Sequence, residues 1–246
     1  MRLPCLGSSP DAPFPSADRA LEQPNGLLAF GGDLSVARLM NAYRQGIFPW
    51  YNEGQPILWW SPDPRAVFDT HDVHLSRSLR RRLRACHWTI HADRNFEAVL
   101  DFCASVPRAG QAGTWIVPGM KRAYLGLEHA GFAHSVEVYD RERLIGGVYG
   151  VDVGPVFCGE SMFSLESGAS TLALAALCRL LDQHGVRWLD AQMSTTHLQS
   201  LGVRCVSRSR YLAMLSEART GPLPRASWRA LVDGWRSMGF AGGPSA

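Results

Sequence analysis

Apolar residues recur at two different periods along this chain, and the change of period marks out its architecture. From Ser35 to Gly46 the spacing of Leu39, Met40 and Tyr43 is helical, with Ser35 placed to cap the first turn and Gly46 to close the last. Helices are predicted at about 95–105, on Phe96, Val99, Leu100 and Cys103, and at 118–130, on Met120, Tyr124 and Leu127. The period then drops to two. His134–Tyr139, Leu144–Val151 and Val153–Cys158 read as consecutive antiparallel strands, with Asp140-Arg141-Glu142-Arg143 as the charged turn between the first pair. The helical period returns at 169–183, where Leu172, Ala176, Leu177, Leu180 and Leu181 form one stripe and Gly185 lies just past its end. A short strand at Trp188–Ala191 and a helix near 211–219 follow. Strands, long helix, strand is an α+β order.

The first 65 residues have a different texture. They are rich in proline, carry the pair Gly31-Gly32, and read mostly as ordered loop around the one helix. A small loop-rich N-terminal domain at 1–64 is therefore expected, followed by a larger unit at 65–246. With 246 residues, 46% hydrophobic and 19% charged, the chain can bury a sizeable core. Eight Trp is a high count and suits pockets as well as cores. The net charge of +3 gives no global attraction to nucleic acid, so any basic footprint is local. Six scattered Cys without a C-x-x-C pair read as buried free thiols of a reducing compartment. No signal-like or membrane-length apolar run occurs, and a soluble, cytosolic, monomeric protein is expected.

Most familiar fingerprints are missing. The sequence has no P-loop, no G-x-G, no H-E-x-x-H and no G-x-S-x-G. His71/His74 and His87/His91 have spacings a metal could use but no evident Cys or carboxylate beside them, so neither metal nor cofactor is expected.

Three segments carry possible chemistry. Phe157-Cys158-Gly159-Glu160-Ser161-Met162-Phe163-Ser164 sets one carboxylate and two hydroxyls among apolar residues where a strand passes into a loop. It reads equally as the loop that starts the long helix. In Leu189-Asp190-Ala191-Gln192, strand alternation puts Asp190 and Gln192 on one face, where the carboxylate can accept from the carboxamide NH2. A strand end leaving the core is the ordinary alternative. Between residues 77 and 84, five Arg fall in eight positions; if helical, Arg77, Arg80, Arg81 and Arg84 share a side suited to a phosphate backbone, or simply form a solvated face.

Together these segments resemble the leucyl/phenylalanyl-tRNA–protein transferases, from Phe14 to about Leu215. The resemblance is carried by Pro24-Asn25-Gly26-Leu27-Leu28, Gly31-Gly32-Asp33-Leu34-Ser35, Gly46-Ile47-Phe48-Pro49-Trp50 and Leu58-Trp59-Trp60-Ser61-Pro62-Asp63-Pro64-Arg65. It continues through Gly113-Thr114-Trp115-Ile116, Ala133-His134-Ser135-Val136-Glu137, Gly159-Glu160-Ser161-Met162-Phe163-Ser164 and Ser200-Leu201-Gly202. The resemblance implies an acetyltransferase-like (GNAT-like) fold after a small N-terminal domain. It also implies transfer of Leu, Phe or, less well, Met from aminoacyl-tRNA to proteins beginning with Arg or Lys, marking them for degradation.

On this resemblance Gln192 orients the attacking amine, Asp190 polarises it, and Glu160 faces the cationic acceptor residue. Trp50, Trp115, Tyr124, Phe157, Met162 and Leu189 surround the aminoacyl side chain and terminal adenosine, with Tyr43 and Ser161 beside them. At about 0.8 kcal/mol per CH2, Leu exceeds Ala by about 2.4 kcal/mol, roughly 50-fold. Arg77, Arg80, Arg81, Arg82 and Arg84 would hold tRNA phosphates. The family's Asn-Ala-Ser-Lys is Gly168-Ala169-Ser170-Thr171 here, and two of its aromatic positions fall on Leu177 and Leu181, departures that bear on pocket shape. Two rival readings stand beside this one. An acetyl-CoA-dependent acetyltransferase finds its pyrophosphate motif only at Arg236–Ala241, with no strand predicted before it. A non-catalytic tRNA- or peptide-binding module predicts binding without transfer.

Overall fold

The computed structural model describes residues 3–105, 114–217, 223, 228–229, 232 and 234–241. The first elements are β1 (Cys5–Leu6), a 3-10 turn at Ala17–Arg19, β2 (Leu27–Gly31), α1 (Val36–Arg44), β3 (Phe48–Pro49) and β4 (Leu58–Trp60). Four of them pair as a sheet in the order β1-β2-β4-β3. A reading of mostly loop is corrected here. Strands of two to five residues broken by proline are too short to display a period, and pairing across distant turns creates them. Helix α1 starts as expected: the Ser35 Oγ accepts from the Arg38 N–H at 3.3 Å.

The second part contains β5 (Arg65–Asp69), α2 (Arg77–Ala85), β6 (Thr89–Ala92), α3 (Phe96–Ser105), α4 (Pro118–His129), β7 (Ala133–Asp140), β8 (Arg143–Asp152) and β9 (Val156–Ser164). It continues with α5 (Ala169–Gln183), β10 (Trp188–Gln192), α6 (Thr196–Ser200), β11 (Arg204–Val206), α7 (Arg208–Leu215) and a 3-10 turn at Ser237–Phe240. The helix predicted to 219 ends at Leu215, and residues 218–219 lie outside the described residues. The strands form one mixed sheet, β11-β5-β10-β9-β8-β7-β6. Its pairs are antiparallel except β9 with β10, which α5 joins as a crossover. Strand β9 runs six residues past its predicted end at Cys158, so Glu160 stands on a strand and not in a loop. A bulge hides this in the sequence: Tyr149 pairs with Ser161 and Gly150 with Gly159, leaving Glu160 as the extra residue.

The two faces of this sheet belong to different cores. Tyr149, Val151, Cys158 and Phe163 pack with α3, α4 and the N-terminal residues Leu39, Tyr43, Ile47 and Trp59. Val136, Val138, Ile145, Val148 and Phe157 pack beneath α5. Gly146 allows that helix its close approach, since a Cβ there would lie 2.6 Å from the Ala169 Cβ. The C-terminal segment completes the α5 face: Trp228 is fully buried and stacks on His134 at 4.2 Å. The reading of six buried thiols is only half right. Cys103, Cys158 and Cys178 are buried, whereas Cys5 and Cys205 are exposed and Cys86 is intermediate.

Candidate functional site

Pairing of β10 with β9 ends at Asp190 opposite Cys158, although β9 runs on to Ser164 and β10 to Gln192. A cavity of about 530 Å³ opens where the two parallel strands part. Phe48, Pro49 and Trp50 form one wall; Trp115, Cys103 and Phe163 lie on another; Phe68, Leu174 and Leu189 are also apolar neighbours. Glu160, Gln192, Thr195, His197 and the serines Ser161, Ser164 and Ser170 supply the polar groups. Few polar groups in a mostly apolar cavity is the composition of a small-ligand site.

Glu160 is positioned from behind. The Tyr43 hydroxyl donates to its Oε1 at 2.9 Å and the Tyr124 hydroxyl to its Oε2 at 2.5 Å, with the two phenol oxygens 3.0 Å apart. Burial pushes the Glu160 carboxyl up to about 7, against the lowering effect of those hydroxyls. Burial and the nearby Glu160 charge raise both tyrosines well above their ordinary range, so they remain donors. A carboxylate held by neutral donors keeps its charge available for a cation.

Gln192 and Asp190 do not share a face as strand alternation implies. A second bulge lies between them, where Asp190 pairs with Val67 and Gln192 with Ala66, and Gln192 has φ +54°. Asp190 accepts from the Gln192 backbone N–H at 2.9 Å, not from its carboxamide. It is fully buried and paired with Arg65, at 2.8 Å to Nε and 2.6 Å to Nη2. The Gln192 Nε2 is buried at the cavity with no hydrogen-bond partner among the described residues.

Family profiles described as "Leucyl/phenylalanyl-tRNA protein transferase" and as its N-terminal domain match residues 67–216 and 32–63. Proteins named leucyl/phenylalanyl-tRNA–protein transferase are similar along nearly their whole length. The one from Xanthomonas campestris pv. campestris (strain B100) is 51% identical over 96% of this chain and 95% of its own. That from Xanthomonas euvesicatoria pv. vesicatoria (strain 85-10) is 55% identical over 92% and 90%, and that from Xylella fastidiosa (strain M23) is 53% identical over 92% and 93%. The chain belongs to this family. It is an aminoacyltransferase with an N-terminal domain ahead of a larger mixed α/β domain. Among solved structures, a conserved protein of unknown function from Bacteroides thetaiotaomicron overlaps 65% of this chain and 57% of its own, at 14% identity and a TM-score of 0.44.

The leucyl/phenylalanyl-tRNA–protein transferase residues expected at the site fall into three groups. Trp50, Trp115, Glu160, Ser161, Met162, Leu189 and Gln192 line the cavity. Tyr43, Tyr124 and Asp190 stand behind it as supports. Phe157 does neither: it is fully buried against Trp228 on the α5 face, because strand alternation turns it away from the cavity. Leu177 and Leu181, on α5, are also buried in the core, and the helix reaches the cavity with Ser170 and Leu174 instead. Phe68, Cys103, Val148 and Arg65 were missed; only Arg65 stood in a segment that carried the resemblance. The motif at Arg236–Ala241 forms a 3-10 turn whose Ser237, Phe240 and Ala241 are buried, not a loop opening a helix.

The arginines of α2 divide. Arg80 donates to Leu75 O, Arg84 reaches Ala241 O, and Arg82 lies over Trp88 and meets Glu166 at 3.4 Å. Among the described residues the side chains of Arg77 and Arg81 make no hydrogen bond or ion pair. Arg81 and Arg82 line a groove of about 870 Å³ with Ser76, Ser78, Thr171 and Ser200, and His197 borders both this groove and the cavity.

Proposed function

We propose that this chain transfers Leu, Phe or, less well, Met from aminoacyl-tRNA to the α-amine of proteins beginning with Arg or Lys, tagging them for degradation. One observation carries the reading: a single cavity joins an apolar chamber to a half-buried carboxylate and a carboxamide whose Nε2 has no partner among the described residues. The ester of a charged tRNA is already an activated acyl donor, so positioning supplies most of what the reaction needs. The neutral α-amine attacks the ester carbonyl, the C–N bond forms, the C–O bond to ribose breaks, and the amine proton ends on the leaving ribose oxygen. Gln192 hydrogen-bonds to this reacting centre, and Glu160 receives the guanidinium or ammonium of the acceptor residue by charge-assisted hydrogen bonding. Trp50, Trp115, Met162 and Leu189 take the apolar aminoacyl group and the terminal adenosine.

The same reading makes 1–64 the small domain and 65–246 an acetyltransferase-like unit. The separate four-stranded sheet and the parting of the crossover strands β9 and β10 support it. The groove lined by Arg81 and Arg82, which shares His197 with the cavity, supports phosphate contact by these two arginines. Among the described residues no helix is long and apolar enough to cross a membrane, and the reading places the protein in the cytoplasm with its tRNA substrate.

The test uses tRNA charged with radiolabelled Leu and peptides beginning with Arg or with Ala. Label is expected on the Arg peptide alone, and it is lost in Glu160→Ala and in Gln192→Ala. Equal labelling of both peptides, or full activity in either variant, overturns the assignment of these residues.

A further inference from the structure

We infer that Arg65 and Tyr211 are positioning residues for Gln192, acting through Asp190 as a backbone anchor; the inference rests on the role of Gln192 proposed above. Four donors converge on the buried Asp190 carboxylate. Its Oδ1 accepts from Arg65 Nε at 2.8 Å and from the Gln192 N–H at 2.9 Å, and its Oδ2 from Arg65 Nη2 at 2.6 Å and the Tyr211 hydroxyl at 3.0 Å. Two donors on each oxygen use the acceptor capacity of a carboxylate. Nothing is left with which Asp190 could polarise the Gln192 side chain.

The donors are themselves held. The Arg65 guanidinium is 1% exposed, lies between the rings of Phe48 at 4.9 Å and Tyr211 at 4.4 Å, and donates Nη1 to Gly46 O at 3.1 Å. A planar fork fits this arrangement and an ammonium does not. Tyr211 is fully buried, and α7 is seated on the turn after α1: a Cβ on Gly46 would lie 2.8 Å from Leu212 and 3.2 Å from the Tyr211 ring. Burial and then the Asp190 charge raise the Tyr211 hydroxyl well above its ordinary range, so it remains a donor.

What this cluster holds is a backbone conformation that side-chain-bearing residues seldom adopt. Gln192 has φ +54° directly after the bulge. Turning its N–H back onto Asp190 satisfies the backbone and leaves the carboxamide at the cavity, its Nε2 without a partner. Without the anchor the residue relaxes towards an extended φ and the carboxamide leaves its station. Phe48, which stacks on Arg65, is also a cavity wall, so the chamber and Gln192 are referenced to one guanidinium.

Steady-state transfer from leucyl-tRNA to an Arg peptide tests this in Tyr211→Phe, Gln192→Ala and the double variant, with Tm measured for each. Loss of one charge-assisted hydrogen bond in Tyr211→Phe should lower kcat about tenfold and leave KM for leucyl-tRNA within about twofold. The double variant should be no slower than Gln192→Ala, because the hydroxyl acts only through that carboxamide. Arg65→Lys should lose more kcat, and the loss should shrink in the Gln192→Ala background to what displacement of the Phe48 wall alone costs. Losses that multiply in the double variant overturn the inference, as does unchanged kcat in Tyr211→Phe. Full kcat in Gln192→Ala would remove the role of Gln192 and this inference with it, an outcome distinct from multiplied losses.

Discussion

Glu137 and Glu160 are both raised by burial from 4.5 to about 7, yet they stand in regions built for different ends. Glu137, on β7, faces its own protein: Oε2 accepts from the Arg94 N–H at 3.1 Å, and Oε1 from the Asn95 N–H at 2.9 Å and the Ser135 hydroxyl at 2.8 Å. It ties the turn before α3 to the sheet, next to the buried Asp93–His134 pair at 2.7 Å. Glu160 faces a cavity and is held by two phenols. A perturbed carboxyl marks burial; whether it marks a site depends on which groups surround it and what is left open. Phenol hydroxyls can rotate to suit a new partner, whereas backbone N–H groups cannot.

The largest difference should appear in transfer. On the proposed role of Glu160, Glu160→Gln is expected to lower kcat/KM for an Arg peptide by about 3 kcal/mol, roughly 100-fold, since the acceptor cation would lose its charged partner. Glu137→Gln should stay within about twofold per folded molecule, as measured with protein corrected for its folded fraction. Equal losses in the two variants would erase the distinction between them.

The pH dependence sharpens it. The acceptor α-amine, with a pKa of about 8, must be neutral, and Glu160 must be ionised. Log kcat/KM should therefore rise with a slope of about 2 well below pH 7 and fall towards 1 as the pH passes 7, where Glu160 is half ionised. In Glu160→Gln the slope should be about 1 throughout, from the amine alone. A slope of 1 in the unsubstituted protein would remove Glu160 from acceptor binding.

Stability supplies the smallest effect. Unfolded, both glutamates ionise near 4.5; folded, they hold the proton to about 7. Between those values the folded state binds more protons, so their contribution is complete below 4.5 and is lost as pH rises through 7, about 3 kcal/mol each. At pH 8, Glu160→Gln should therefore raise Tm, because an amide suits two rotatable hydroxyls. Glu137→Gln should lower it by roughly 5 °C, about 2 kcal/mol, because its NH2 would face the Arg94 N–H. Shifts of the same sign in both would show that the hydrogen-bond environment does not separate them.

The fold was legible where residues repeat a period over several turns or pairs. Helices α1, α3, α4 and α5 and strands β7 and β8 fall close to their predicted places. Strand β5 was not, because all five of its residues are buried and show no alternation. The end of β9 was lost to the bulge at Glu160. At the site, the segments holding Glu160 and Gln192 stood out by composition and strand alternation, but the roles given to them came from the resemblance. Tyr43, Tyr124 and Asp190 were named by resemblance, but not the contacts that make them supports: Tyr43 lies 117 residues from Glu160 and Arg65 lies 125 from Asp190. Only the closed sheet shows which distant residues meet.

That separation also sets the order in which the chain becomes an enzyme. Strand β5 leaves the ribosome well before β10 and β11, the two strands that flank it. Until they arrive it has two open edges and five residues that the finished fold buries, the interval in which a growing chain most readily pairs with the wrong partner. Closing so long a loop is slow and comes late. A nascent or trapped chain can hold its N-terminal sheet and the β7–β8 hairpin and still be inert, since the strand that carries Gln192 docks among the last.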